Sequence, residues 1–268
     1  MPLVVNTNLF SLNSQRALMS SESDLKTAMA RLSSGLRINS AKDDAAGLYT
    51  VETLTADVRG QNQAIRNAAD GISLGQTAEG ALAQIANNLQ RIREIAVQSA
   101  NGTVEVRSGL QAEVTELQAE NARIVANTKF NGVSLLSASG TITFQVGEDA
   151  GQTITVNSLS VSGVGITAAA DVSTSGAAST LLSTMDTQIG AIAGNRATFG
   201  AVQNRFEAVI SNLSVSVENL SAARSRIQDA DFAAETARMT RAQILQQAGV
   251  AMLAQANAQP QAALALLK

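Results

Sequence analysis

Apolar residues recur along most of this chain at helical spacing. Leu18, Leu25, Met29, Leu32 and Leu36 lie three, four or seven positions apart, which predicts an amphipathic helix from Asn6 to Gly35 with the glycine ending it. From Ala45 to Asn101 the helical pattern resumes. Leu82, Ile85, Leu89, Ile92 and Ala96 form a coiled-coil seam, and Gly71, Gly75 and Gly80 mark a bend or a very close approach. Asn101-Gly102 stops it. Leu110, Val114, Leu117, Asn121 and Ile124 make a second seam whose single Asn can fix register, closing near Asn131-Gly132. A fourth helix begins at Ala178, with Leu182, Met185, Ile189 and Ile192 on one stripe. After Gly194–Gly200 the stripe continues as Val202, Phe206, Val209, Leu213, Val217, Leu220, Arg224 and Ile227. The extra four-residue step from Leu213 to Val217 locally straightens a left-handed supercoil.

Between these helices the period changes to two. Thr141–Val146 and Thr153–Asn157 alternate β-formers with polar residues around Gly147–Gly151, a β-hairpin signal. Ser158–Ser179 reads as a short strand or surface loop. The connector Arg37–Gly47 offers Asn39 or Ser40 as a helix cap, with Asp43 and Asp44 in the first turn. Adjacent helix positions do not share a face, so these carboxylates are a solvated cap rather than an acid–base or metal pair. Gln228–Asp231 predicts a turn, with Asp231 capping the last helix.

That last helix carries no charged side chain between Arg241 and Lys268. Its amides and Pro260 exclude a membrane span. Ile244, Leu245, Val250, Met252, Leu253, Leu264, Leu266 and Leu267 would each contribute roughly 1.5–3 kcal/mol on full burial. Ordering each residue costs about 1–2 kcal/mol, so the segment is expected to order only against other protein. The expected fold is mainly α: a long antiparallel coiled-coil bundle with a small β-hairpin region at the tip and paired termini. Paired ends that complete each other head-to-tail between copies give an open helical polymer; a closed bundle is the alternative.

Composition narrows the chemistry. Hydrophobic residues are 45% of the chain but aromatics only 3%, which suits thin helical packing. Histidine and cysteine are absent, removing thiol chemistry, disulfides, His-centred metal sites and the commonest general base. The net charge is -3, with no basic patch or stacking aromatics for nucleic acid. MPLVVNTNLF lacks a positively charged start followed by a long apolar run, so a cleaved secretory signal is not expected. No catalytic, cofactor-binding or metal-binding residue is expected, and no cofactor.

Five stretches carry a family resemblance: NTNLFSLNSQRAL, RLSSGLRINSAKDDAAGL, LQRIREIAVQSANGT at Leu89–Thr103, KFNGVSLL at Lys129–Leu136 and ILQQAGVAMLAQANAQPQAALALL at Ile244–Leu267. Across nearly its whole length the chain resembles a bacterial flagellin, in a short form lacking large outer domains. The resemblance implies a structural subunit of the extracellular flagellar filament, serving swimming motility. Residues 1–39 and 229–268 would pair as an inner tube, and residues 40–228 would form a rod-like outer tube. Leu18, Leu25, Met29, Leu32, Ile244, Leu245, Val250, Leu253, Leu264 and Leu267 are the expected polymerisation interface.

The implied partners are further copies of the chain, an export chaperone on the carboxyl-terminal helix, and the filament cap and hook-junction proteins. Export would pass through the flagellar type III apparatus. A host toll-like receptor would contact Gln90, Arg91, Glu94, Ile95 and Glu113, although the same residues also suit subunit contacts. Some flagellins resemble zinc metalloproteases, but that motif needs histidines. A hook–filament junction protein, or an adhesin or effector using the same export route, remains the alternative; the ending AQAN-x-x-P-x-x-x-L-x-LL, intact from Ala254 to Leu267, favours flagellin.

Overall fold

The computed structural model describes residues 7–158, 161 and 169–265, with side chains as far as residue 258. The chain is mainly helical: α1 (Leu9–Ser34), α2 (Ala45–Ala100), α3 (Ser108–Asn127), α4 (Ser175–Gln228) and α5 (Phe232–Ala265). Four short strands lie between α3 and α4: β1 (Lys129–Phe130), β2 (Val133–Ser134), β3 (Gly140–Gln145) and β4 (Thr153–Ser158). Two compact units arise, residues 1–56 with 219–268 and residues 57–218, so the division falls inside α2 and α4. The helix ends nearest the expected limits are Ser34 and Gln228. Among the described residues no helix is long and apolar enough to cross a membrane.

In the first unit α1 and α5 run antiparallel. Asn8 caps α1 by accepting from Ser11 N, and its Nδ2 donates to Ala256 O at 2.7 Å. At the other end Arg31 meets Glu235. Gly35 ends α1 at φ 72, the left-handed conformation glycine adopts without a Cβ penalty. The chain then bridges to the turn between α4 and α5: Arg37 N donates to Gln228 O and Ala230 N to Gly35 O. Asp231 caps α5, its carboxylate accepting from Ala233 N and Ala234 N. The helix continues across position 260 to Ala265, so the proline does not interrupt it.

The cap of α2 differs from expectation. Asp44, not Asn39 or Ser40, accepts from Gly47 N at 2.8 Å. Asp43 instead closes the connector, accepting from Asn39 N, Ser40 N and Ser40 Oγ. Those donors stabilise its charged form, led by the Ser40 hydroxyl, and hold its carboxyl below the usual aspartate value.

The second unit is built on the predicted seams. Leu82, Ile85, Leu89, Ile92 and Ala96 are all fully buried, packed with Val114 of α3 and Met185, Ile192, Phe199 and Phe206 of α4. Arg93 pairs with Asp186, and Glu79 with Arg196, which fixes α2 and α4 as antiparallel. The α4 stripe is not broken at Gly194–Gly200; one helix runs through. Gly71 and Gly75 are close approaches: a Cβ there would fall 2.5 Å from Phe206 Cζ or 3.0 Å from Gln203 Cγ. Gly80 faces open space.

β3 and β4 pair antiparallel, with Ile142 opposite Val156 and Phe144 opposite Ile154. β4 alternates as expected, Ile154, Val156 and Ser158 inward and Thr153, Thr155 and Asn157 outward. The hairpin lies along α2: Asn67 Nδ2 donates to Gln145 O, and Gln61 reaches Glu148 in its loop. Phe144 meets Phe206 edge-on, centroids 5.5 Å apart. Asn131-Gly132 is not the end of α3, which closes at Asn127. It is the turn between β1 and β2, with φ 48 and 80, the double positive φ of a tight hairpin turn. Of the expected Ser158–Ser179 loop, residues 159, 160 and 162–168 lie outside the described residues. Residues 170–172 are clamped to α3: Gln111 donates to Ala170 O and accepts from Val172 N, while Gln118 accepts from Ala170 N.

Candidate assembly surface

The α1–α5 pair buries small side chains and leaves large ones outside. Its seam is a strict seven-residue repeat on both helices. On α1 one stripe holds Ser11, Leu18, Leu25 and Leu32, and the other Ser14, Ser21, Ala28 and Gly35. On α5 the stripes are Glu235, Ala242, Gly249 and Ala256, and Met239, Gln246 and Leu253. Ser11, Ser21, Ala28, Glu235, Ala242 and Ala256 are buried; the others are half-buried. A Cβ on Gly249 would lie 3.3 Å from Leu18 Cδ1, so the glycine admits the leucine.

Many of the large apolar residues point away from that seam. Phe10 is 61% exposed, Ile244 60% and Met252 63%; Leu9, Leu12, Met19, Phe232, Leu245 and Val250 are also exposed. Phe232, Ala237, Ile244 and Leu245 line a shallow apolar hollow on α5. Such a surface on one molecule marks a place for other protein.

The expected interface residues divide between the two faces. Leu18, Leu25, Leu32 and Leu253 join α1 to α5 within the chain. Met29 leaves the stripe assigned to it and is 53% exposed, because Ala28 takes the seam position. Ile244, Leu245 and Val250 face outward with it. The Leu264 side chain and all of Leu267 lie outside the described residues. Leu9, Phe10, Leu12, Met19 and Phe232 were not anticipated. Their signal in the sequence is that they are large and apolar but off the heptad stripes.

A second surface lies on α2 and α3. Gln90, Arg91 and Glu94 are exposed, and Glu113 is half-buried. Arg91 Nε donates to Glu113 at 2.7 Å and Arg91 Nη1 to Glu94 at 3.1 Å. These bonds, that to Glu113 first, raise the arginine's pKa further and pre-form a charged ridge. Ile95 does not join it: it is 1% exposed, in the core. Beneath the ridge Asn88 Nδ2 donates to Asn121 Oδ1 at 2.8 Å, joining α2 to α3 through the one polar seam position. Among the described residues no three carboxylates converge as a metal site.

Residues 5–141 match the bacterial flagellin N-terminal helical region, and residues 182–267 the bacterial flagellin C-terminal helical region. The chain is 44% identical to a flagellin of Halalkalibacterium halodurans over 99% of its own length and 100% of that protein's. It is 41% identical to a flagellin of Bacillus subtilis, covering 98% and 99%, and 40% identical to the flagellar filament 33 kDa core protein of Treponema phagedenis, covering 99% and 100%. The crystal structure of Bacillus cereus flagellin superposes with a TM-score of 0.52 at 31% identity, over 59% of this chain and 94% of that one. A Vibrio parahaemolyticus structure described as a flagellar hook-associated protein gives a TM-score of 0.61 over 70% of this chain and all of that one, at 15% identity, which speaks to fold alone. Two family regions spanning most of the chain, and near-complete coverage of relatives above 30% identity, place it in one group: the chain belongs to the bacterial flagellin family.

Proposed function

We infer that the chain is a structural subunit of the extracellular bacterial flagellar filament, not an enzyme, and that it assembles through the outer faces of α1 and α5. The carrying observation is the inverted burial of that pair: alanine, serine and glycine inside, Phe10, Met19, Ile244, Leu245 and Met252 outside. Full burial of each large side chain contributes about 1.5–3 kcal/mol, so copies stacked on these faces gain what the lone pair lacks. Residues 1–39 and 229–268 then form the inner tube and residues 40–228 the outer rod.

The same exposed α5 surface suits an export chaperone before assembly, and the cap and hook-junction proteins are the expected partners at the filament's ends. On α2 and α3, Gln90, Arg91, Glu94 and Glu113 offer an arginine-centred ridge to a toll-like receptor or to a neighbouring subunit; Ile95 is buried in the core and takes no part in it. The junction-protein reading shares the fold, at 15% identity, but not the 44% identity over near-complete length that a flagellin shows.

Seeded polymerisation followed by negative-stain imaging tests the reading. Long filaments are expected from the full chain and none after removal of Ala242–Lys268. Normal filaments from the truncated chain, or none from the full one, would overturn it.

A further inference from the structure

A strict heptad has a weakness as an address. Sliding α5 by seven residues along α1 returns small residues to small residues: Ala242, Gly249 and Ala256 exchange places, as do Ser14, Ser21 and Ala28. Van der Waals packing alone therefore tells the registers apart poorly. Sliding one way shortens the overlap. Sliding the other way keeps all of α1 paired, because α5 runs on to Ala265. The backbone bridge at Leu36 and Asp229 opposes a slip at one end of the pair, and at the other end Asn8 donates to a backbone carbonyl, a group that every residue of α5 offers.

The charged members of the pair are not degenerate. Glu235 is a buried carboxylate whose Oε1 accepts from Arg31 Nη1 at 3.1 Å and from Arg238 Nη1 at 2.8 Å. Arg238 is on the same helix and travels with Glu235; Arg31 does not. In the overlap-shortening slip Glu235 would meet the position of Asp24, a like charge, seven residues before Arg31. In the other slip it would pass the end of α1, and Arg31 would face Ala242. Either slip strips a buried charge of its cross-helix partner, which is strongly unfavourable.

We propose that the Arg31–Glu235 ion pair determines the register of α1 against α5, selecting one of the alignments that the small-residue heptad leaves nearly equal. It is a positioning contact, comparable to a single polar residue fixing alignment in a coiled coil. It deepens the filament reading, on which it rests for assembled material.

The structure supplies its own ruler. A Cβ on Gly249 would lie 3.9 Å from Leu18 Cβ, inside the disulfide range, and the chain has no cysteine of its own. Leu18→Cys with Gly249→Cys reports the native register; Leu18→Cys with Ala242→Cys or with Ala256→Cys reports the two slips. Brief oxidation of full-length filaments should cross-link the first pair and leave the other two at background. With Glu235→Gln or Arg31→Leu added, a slipped pair should rise by about tenfold or more. Arg31→Lys, which keeps the charge, should hold the native register. If Glu235→Gln and Arg31→Leu cross-link only at 18–249, packing sets the register and the proposal fails. If they cross-link nowhere, the pair stabilises the coil without choosing its alignment, and it fails again. Absence of filaments from the unsubstituted chain would instead overturn the function reading.

Discussion

Replacing Gly71 by alanine and, separately, Gly80 by alanine makes one chemical change at two points of α2, and their effects on stability should diverge. In a helix interior alanine is favoured over glycine by about 1 kcal/mol at either site. At Gly80 nothing lies within 4 Å of the added Cβ, so that gain stands. At Gly71 the Cβ would sit 2.5 Å from Phe206 Cζ and 2.7 Å from Cε2. The ring cannot retreat, because Phe206 is fully buried and Phe144 meets it edge-on. Overpacking of this kind costs about 1–3 kcal/mol, leaving Gly71→Ala about 0–2 kcal/mol less stable than the parent. The two variants should differ by roughly 1–3 kcal/mol, or about 2–12 °C in melting temperature for a unit of this size. Thermal melts followed by circular dichroism read the difference. Adding Phe206→Leu should shrink the Gly71 penalty by at least about 0.5 kcal/mol, since the residues touch. Equal melting temperatures for the two glycine variants would refute the close packing of α2 on α4.

Asn121→Leu should lose about 1–3 kcal/mol in urea unfolding, because Asn88 Nδ2 loses its acceptor in the core, whereas Asn88→Leu with Asn121→Leu should recover most of it. Stability against pH should be flat from about pH 6 to 9, where no histidine or cysteine titrates. On the acid side Asp43 and Asp171, held low chiefly by the Ser40 and Ser173 side chains, contribute fully above the ordinary value of 3.8 and lose that contribution as pH falls through their lower folded values. A melting temperature that drifts between pH 6 and 9 would contradict this. Gln111→Leu removes two of the clamps on residues 170–172, the Gln118 bond to Ala170 N remaining, and hydrogen exchange at Val172 N should quicken while the seam of α2 stays protected.

The long seams were legible because period is a property of sequence: Leu82, Ile85, Leu89 and Ile92 announce a buried stripe, and no tertiary contact overrides it. Asn131-Gly132 is ambiguous in sequence because the same dipeptide can end a helix or turn a hairpin, and two-residue strands on either side are too short to show a period. The cap of α2 moved to Asp44 because several capping residues stand in a row and only the backbone path chooses among them. The α1–α5 surface was half legible. Large apolar spacing marks Leu18, Leu25 and Leu32, but it marks Met29 equally and is silent on Ala28, the small side chain that the seam buries. The resemblance named the assembly; only the burial pattern assigned faces.

The bond from Asn8 to Ala256 joins residues 248 positions apart, whereas α2 meets α4 over shorter spans, 93 positions at Arg93–Asp186. Loop closure over such a span is paid once, after the local helices exist, so the terminal coil should be the last part of the chain to form. Pulse-labelled hydrogen exchange would show α2 and α4 protected before α1. Order of folding then sorts the chains: one cut short before α5 folds α2 and α4 but never closes the seam with α1.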